Sequence, residues 1–207
     1  HPLIFDVTDW IIHTVCKQLN IWADKGIQIE VVSINIPGTY VTNERLKHTL
    51  VDAVTMYNIR PNQIELEITE TSYVDDIEEA IQVVLQFRQL GFLVAIDDFG
   101  TGVSSLSYLK MLAITTLKID KSFVDGIPHS EKDSEIIKGI ISLASSLRLN
   151  VVVEGVEHVE QANYLNSNFE DILIQGYFYS KPSPPEELES FYKQLQSKRE
   201  KMITVDI

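Results

Sequence analysis

The chain has 207 residues, of which 44% are hydrophobic, and a formal net charge of −13. This length is enough to bury one sizeable core, so we expect a single domain over residues 1–207. The acidic balance argues against general binding to DNA or to anionic membranes, because both need basic surface that neutralises phosphates.

Helix-like and strand-like segments alternate along most of the chain. A leading helix is predicted over 6–25, where apolar residues recur at helical spacing and Gly26 supplies a C-terminal cap. Further helices are predicted over 43–57, 75–90, 104–111, 133–147, 159–165 and 186–197. Short apolar runs between them predict strands over 31–34, 64–68, 92–96, 116–119, 151–153 and 172–174. Residues 202–207 also look strand-like.

Each of the six predicted strands carries, or ends at, an amide, a carboxylate or a lysine. In chain order these residues are Asn35, Glu67, Asp97, Asp98, Lys118, Glu154 and Gln175. Apolar strands that alternate with helices predict a parallel sheet buried on both faces. The C-terminal ends of such strands share one edge, where ligands and chemistry collect. We therefore expect these polar side chains to meet.

The four carboxylates of this set would repel one another strongly in a low-dielectric site. A cationic partner is therefore needed among them. Carboxylates together with a side-chain amide suit hard cations such as Mg²⁺, Mn²⁺ or Ca²⁺, and the Asp97-Asp98 pair could serve two adjacent ions. The simpler alternative is that these acids only cap the helices that follow them.

Two architectures fit the alternation of strands and helices. An eight-stranded (β/α)₈ barrel typically needs about 250 residues and two more strands than the sequence shows. An open doubly wound sheet fits six strands but usually builds its site at one crevice. Polar residues on all six strands favour the barrel, so we expect strands that precede His1 to complete the domain.

The compartment is indicated by two features. Apolar runs fall well short of the roughly 18 to 20 residues that a membrane span needs. Cys16 has no cysteine partner within the chain and is typical of a buried thiol in a reducing compartment. We expect a cytoplasmic domain without direct membrane contact, even if a longer parent protein is anchored in a membrane.

The polar motifs resemble those of the bacterial EAL-domain cyclic-di-GMP phosphodiesterases. The similar segments follow the family order, and they are SIN (33–35), ELEITE (65–70), DDFGTG (97–102), SSL (104–106), LKID (117–120), EGVE (154–157), QGY (175–177) and SKP (180–182). The resemblance implies an α/β fold of the TIM-like (β/α)₈ type. It also implies hydrolysis of cyclic di-GMP to linear pGpG with two Mg²⁺ or Mn²⁺ ions, and inhibition by Ca²⁺.

The resemblance also implies roles for individual residues. Asn35, Glu67 and Asp97 would hold one ion together with the glutamate that gives the family its name. Asp97, Asp98 and Glu154 would hold the other ion. The remaining catalytic positions are Lys118 at the attacking water, with Glu157 and Gln175 positioning water or ligands.

A loop after Asp98 would be anchored in this family by four residues, Glu70, Gly100, Thr101 and Gly102. The helix that follows this loop would communicate with a homodimer interface. Family members also suggest a sensory or GGDEF domain upstream of the domain.

The name-giving Glu-Ala-Leu segment does not occur in these residues, and we expect it on a first strand before His1. Without its glutamate the first ion would keep three protein ligands and bind more weakly. An alternative is therefore a degenerate member that binds cyclic di-GMP or a protein partner without hydrolysis. An unrelated barrel enzyme with an acidic metal site is a further alternative.

Overall fold

In the computed structural model the described residues are 2–69, 77–100 and 106–203. Within them the strands are β1 (Val32–Asn35), β2 (Ile64–Thr69), β3 (Leu93–Phe99), β4 (Thr116–Ile119), β5 (Asn150–Val153) and β6 (Ile172–Ile174). They form one parallel sheet in the order β1-β2-β3-β4-β5-β6. All six strand predictions are confirmed.

Helices connect successive strands and cover the outer face of the sheet. Their bounds are α1 (Pro2–Asp24), α2 (Gly38–Val41), α3 (Glu44–Met56), α4 (Ile77–Gln89), α5 (Leu106–Met111), α6 (Glu131–Ser146), α7 (Val159–Asn168) and α8 (Pro185–Ile203). Side chains stabilise two of the helix starts: Asn43 accepts a hydrogen bond from the backbone of Arg45, and Ser130 accepts one from Asp133. Within 2–69, 77–100 and 106–203, no helix has the length and apolar character of a membrane span.

The predicted helices agree with the structure within a few residues where they are described, with two differences. Helix α2 was not predicted, because its single turn is too short to show a helical period. The prediction of a strand over 202–207 is wrong for Met202 and Ile203, which end α8. The preceding residues 193–201 favour helix and include no glycine or proline that would end it. Residues 204–207 lie outside the described part.

The strand order decides between the two architectures. A doubly wound sheet reverses its strand order at a switch point, whereas here the six strands follow one another across the sheet in sequence order. The open doubly wound alternative is therefore wrong. The sheet is a six-stranded parallel half-barrel with an inner and an outer face.

The hydrophobic core lies between the outer face of the sheet and the helices. Leu66, Ile68, Leu117 and Ile119 are fully buried there, and each such side chain stabilises the fold by about 1.5–3 kcal/mol. Cys16 of α1 is buried in the same core, and burial raises the pKa of its thiol to about 11. The prediction of a buried thiol is confirmed.

The inner face differs because most of its buried residues are polar. Alternate strand residues point to opposite faces of a sheet, so the residues between the core positions all face inward. Five of these inward side chains are polar and at most 9% exposed, and they are Glu65, Glu67, Asp97, Thr116 and Lys118. The half-barrel thus surrounds a polar interior instead of a second apolar layer.

Candidate metal centre

Lys118 lies at the centre of an acidic cluster on the inner face. Its Nζ is 2.6 Å from Glu67 Oε1, 2.7 Å from Glu154 Oε1 and 3.1 Å from Asp97 Oδ1. The four residues come from β4, β2, the end of β5 and β3, respectively. Parallel pairing brings these strand ends to one edge, so the predicted meeting of the polar residues is confirmed for these four.

Asp97 and Asp98 are consecutive residues, and in a regular strand their side chains would point to opposite faces. The structure avoids this with a bulge. Pairing runs from Ile96↔Leu117 to Phe99↔Ile119, so β3 spans three residue steps where β4 spans two. Asp98 also adopts a φ of 54°, in the left-handed region. Both carboxylates can therefore face the same site.

Asp97, Asp98 and Glu154 form a compact group of carboxylates. One oxygen from each residue lies within 4.8 Å of the other two, a spacing that one cation could bridge. Glu67 lies beside this group because it shares Lys118 with Asp97 and Glu154, and Asn35 is the Cα partner of Glu67 on β1. The Asn35 side chain is exposed at the β1 edge of the inner face.

The electrostatics of the cluster show an excess of negative charge. Burial raises the pKa of Glu67 and of Glu154, and the hydrogen bonds from Lys118 only partly offset it. Burial and the neighbouring Asp97 raise the pKa of Asp98. Burial alone would lower the pKa of Lys118, but the hydrogen bonds to Glu154 and Glu67 raise it well above its usual range. One ammonium group is thus shared among four acids.

A buried oxygen without a hydrogen bond tests whether a cation fits this cluster. Asp97 Oδ1 is 3.1 Å from Lys118 Nζ, but the angles do not allow a hydrogen bond, and it has no other donor among the described residues. Buried polar atoms normally have a hydrogen-bond partner, so this oxygen can bind a cation in addition to its ion pair with Lys118. Oxygen-only ligands suit Mg²⁺ and Mn²⁺. The residues present therefore fit a divalent cation.

Glu157 and Gln175 lie outside the cluster and line a neighbouring cavity of about 650 Å³. Lys121 Nζ is 2.6 Å from Glu157 Oε1, and this ion pair sits at the wall of the cavity with Tyr177 and Lys181. The hydrogen bond from Lys121 lowers the pKa of Glu157. Both predicted residues therefore lie in this cavity, whose lining includes Gly155, the residue that follows Glu154.

Residues 1–182 match the family model described as the EAL domain. The chain belongs to the EAL-domain family. This EAL domain is 42% identical over 189 residues to the signalling protein YkoW of Bacillus subtilis, covering 91% of the chain and 23% of YkoW. It spans about a quarter of the length of the curated relatives that it matches.

Solved structures of EAL proteins have the same fold as this EAL domain. The phosphodiesterase MucR of Pseudomonas aeruginosa, in complex with cyclic di-GMP, superposes with a TM-score of 0.84 at 31% identity, covering 90% of this chain and 75% of that chain. BlrP1 of Klebsiella pneumoniae, in a complex with manganese and cyclic di-GMP, gives 0.73 at 27% identity, covering 83% and 44%. The similarity agrees with the half-barrel fold.

The loop predicted to follow Asp98 is only partly described in this EAL domain. Glu70, Thr101 and Gly102 lie outside the described residues. Gly100 has a φ of 96°, and a Cβ atom there would lie 2.6 Å from the Phe123 ring. A glycine is therefore required at this position, and the anchoring role of the loop residues stays a prediction.

Sequence reasoning missed two polar residues near the site. Lys121 pairs with Glu157, and its signal was its position three residues after Lys118, just beyond the end of β4. Glu65 is buried below the cluster, and its signal was the two-residue spacing to Glu67, which puts both on one face of β2.

Proposed function

We propose that this EAL domain hydrolyses cyclic di-GMP to linear pGpG with two divalent cations, Mg²⁺ or Mn²⁺. The observation that carries the proposal is the convergence of oxygens from Asp97, Asp98 and Glu154, together with the buried Asp97 Oδ1 that makes no hydrogen bond. The similarity to MucR and BlrP1, whose structures contain cyclic di-GMP, supports the choice of substrate. We also expect Ca²⁺ to inhibit the reaction.

The protein residues divide the work between binding ions and steadying the reacting groups. Asn35, Glu67 and Asp97 would hold one ion, and Asp97, Asp98 and Glu154 the other. When bound, such cations supply positive charge that stabilises the charge developing on the phosphodiester. Their four carboxylates carry up to four negative charges and Lys118 carries one positive charge, so two bound dications would bring the site close to charge balance.

Lys118 would orient the attacking water. Its ammonium group has three donors, and two of them bond to Glu67 and Glu154. The third donor makes no hydrogen bond to the nearby Asp97 Oδ1, so it can bond to a water at the cluster. The raised pKa of Lys118 keeps it protonated at neutral pH, which suits a group that steadies a developing hydroxide.

Glu157 and Gln175 would act from the neighbouring cavity. Glu157 pairs with Lys121, and Gln175 lies on the same wall, so both can bond to water or to a ligand that extends from the cluster. The cavity of about 650 Å³ offers room for part of a dinucleotide.

A complete eight-stranded barrel, with the name-giving glutamate on a strand before His1, is part of the proposal. The open edges of the half-barrel support it. Ser33 and Asn35 on β1 are exposed on the inner face, and Leu173 on β6 is 65% exposed there. Further strands at these edges would cover Leu173 and supply the fourth ligand of the first ion.

The partners proposed for the whole protein follow the family. Relatives are several times longer than this chain, and one of them is named a bifunctional diguanylate cyclase and phosphodiesterase. We propose an upstream sensory or GGDEF domain, a homodimer, and a cytoplasmic location for residues 1–207.

The test measures pGpG formed from cyclic di-GMP by the full-length protein with Mg²⁺ or Mn²⁺. Asp97→Asn keeps the shape of the side chain but removes its charge, so it should lower turnover by at least 100-fold. The matched control is Asp52→Asn, which makes the same change at an exposed position of α3 and should keep full activity. A wild-type protein that binds cyclic di-GMP but forms no pGpG with either metal would contradict hydrolysis and support a receptor.

A further inference from the structure

Glu65 is a buried carboxylate that the proposed reaction does not use. It lies on the inner face of β2 and is only 6% exposed. Ser33 Oγ donates a hydrogen bond to its Oε2 at 3.1 Å, and Thr116 Oγ1 donates one to its Oε1 at 2.5 Å. Both carboxylate oxygens therefore have a partner, each from a different strand.

The three residues of this network share one position relative to the metal centre. Ser33, Glu65 and Thr116 each precede a site residue on the same strand by two positions, and those site residues are Asn35, Glu67 and Lys118. Residues two apart on a strand point to the same face. The network is thus the layer of side chains directly beneath the site residues.

Glu65 also connects strands that are not neighbours. β3 lies between β2 and β4, so the side chain must cross β3 to reach Thr116. On this face of β3, Leu93 is the Cα partner of Glu65, and Ala95 is the Cα partner of both Glu67 and Thr116. A methyl group leaves room for the carboxylate to pass, whereas a larger residue would fill that space. Three strands are therefore joined through one side chain.

A charged group is an unusual choice for the interior of a barrel. Such interiors are commonly filled by branched apolar residues, which pack without any polar atom to satisfy. A buried carboxylate is stable only if its oxygens are hydrogen-bonded, and losing a donor leaves an unsatisfied charge. The Glu65 carboxylate therefore favours one arrangement of β1, β2 and β4 over small shifts between them.

We infer that Glu65 is a positioning residue for the metal centre. By fixing β1, β2 and β4 relative to one another, it holds Asn35, Glu67 and Lys118 at the separation that ion binding needs. The inference rests on the proposed function only in assuming that divalent cations bind at the cluster. Residues that orient metal ligands typically change metal affinity by 10- to 100-fold when they are replaced.

The test measures Mn²⁺ binding to the full-length protein by calorimetry, without substrate and at a temperature where every variant is folded. Glu65→Met removes both hydrogen bonds and should raise the Kd for Mn²⁺ by about 10-fold. Glu65→Gln can accept from one hydroxyl and donate to the other, so its Kd should stay within about threefold of wild type. The matched control is Glu170→Met, in an exposed loop, which should leave the Kd unchanged.

Thr116→Val keeps the shape of the threonine and provides a second route if Glu65→Met does not fold. It should raise the Kd in the same direction as Glu65→Met, by a smaller factor, because one hydrogen bond remains. The double variant should bind Mn²⁺ as Glu65→Met does, since both substitutions break the same bond. Fully additive effects would contradict a shared network.

The outcomes separate this inference from the proposed function. Folded Glu65→Met and Thr116→Val proteins with wild-type Kd values would overturn the positioning role, even if they unfold at lower temperature. A wild-type protein that binds Mn²⁺ but forms no pGpG would contradict hydrolysis, and the Mn²⁺ affinities of the variants would still decide the positioning role. A wild-type protein that binds no Mn²⁺ would contradict both.

Discussion

Replacing Lys118 by methionine tests how the acidic cluster is balanced. The 2.6 and 2.7 Å contacts with Glu67 and Glu154 each correspond to about 6 kcal/mol of Coulomb attraction at an effective dielectric constant of about 20. Much of this attraction offsets the cost of removing the charges from water. Removing one partner from such a buried group typically costs about 3–5 kcal/mol, because the remaining charges are left unpaired. We expect a loss of this size at neutral pH without metal.

The stability of the Lys118→Met variant should depend on pH, because the substitution removes the positive charge that lies between Glu67 and Glu154. Burial already raises the pKa of Glu67 and Glu154, and losing the lysine raises both further. A carboxyl group with a raised pKa binds more protons in the folded state, so its folded state loses stability as pH rises through that pKa. The deficit relative to wild type should be smallest at about pH 4 to 5 and should widen toward neutral pH.

The assay is urea unfolding of the full-length protein with a chelator and, separately, with Mn²⁺. Added Mn²⁺ should restore part of the lost stability, because a dication can take over the charge balance. Lys121→Met is the matched control, since Lys121 makes an equally short ion pair with Glu157 but is exposed. Its effect on stability should be small. A Lys118→Met protein as stable as wild type at neutral pH with chelator would refute this account of the cluster.

Two further predictions concern the end of β3. An asparagine at this position would tolerate the left-handed backbone but lack the charge, so Asp98→Asn should weaken Mn²⁺ binding at least tenfold in calorimetry. The midpoint of urea unfolding should change little. An unchanged Mn²⁺ affinity would show that Asp98 is not part of the site. Gly100→Ala should lower the free energy of unfolding by about 1–3 kcal/mol, because it combines a φ of 96° with a contact of 2.6 Å to the Phe123 ring. If Gly100→Ala unfolds in urea as wild type does, the described loop geometry is wrong.

The strands could be predicted because each is a short apolar run bounded by polar or turn residues. Their parallel pairing followed from the helices between them, and parallel pairing alone places Glu67, Asp97, Lys118 and Glu154 at one edge. Met202 and Ile203 were misjudged because a few β-branched residues outweighed a long helix-forming segment before them.

The geometry within the site could not be predicted from the sequence. The bulge that turns Asp98 toward Asp97 depends on the register between β3 and β4, which no local pattern specifies. The role proposed for Glu65 depends on Ser33 and Thr116, which are distant from it in the sequence and reach its carboxylate only in the folded sheet. In both cases the decisive contact is between strands.

The central claim is that Asp97, Asp98 and Glu154 together bind a divalent cation. The most direct measurement is anomalous X-ray diffraction from crystals of the protein grown with Mn²⁺. The account predicts an anomalous peak at coordination distance from oxygens of all three carboxylates. Ordered carboxylates with no peak between them, in crystals that contain Mn²⁺ at a saturating concentration, would contradict it.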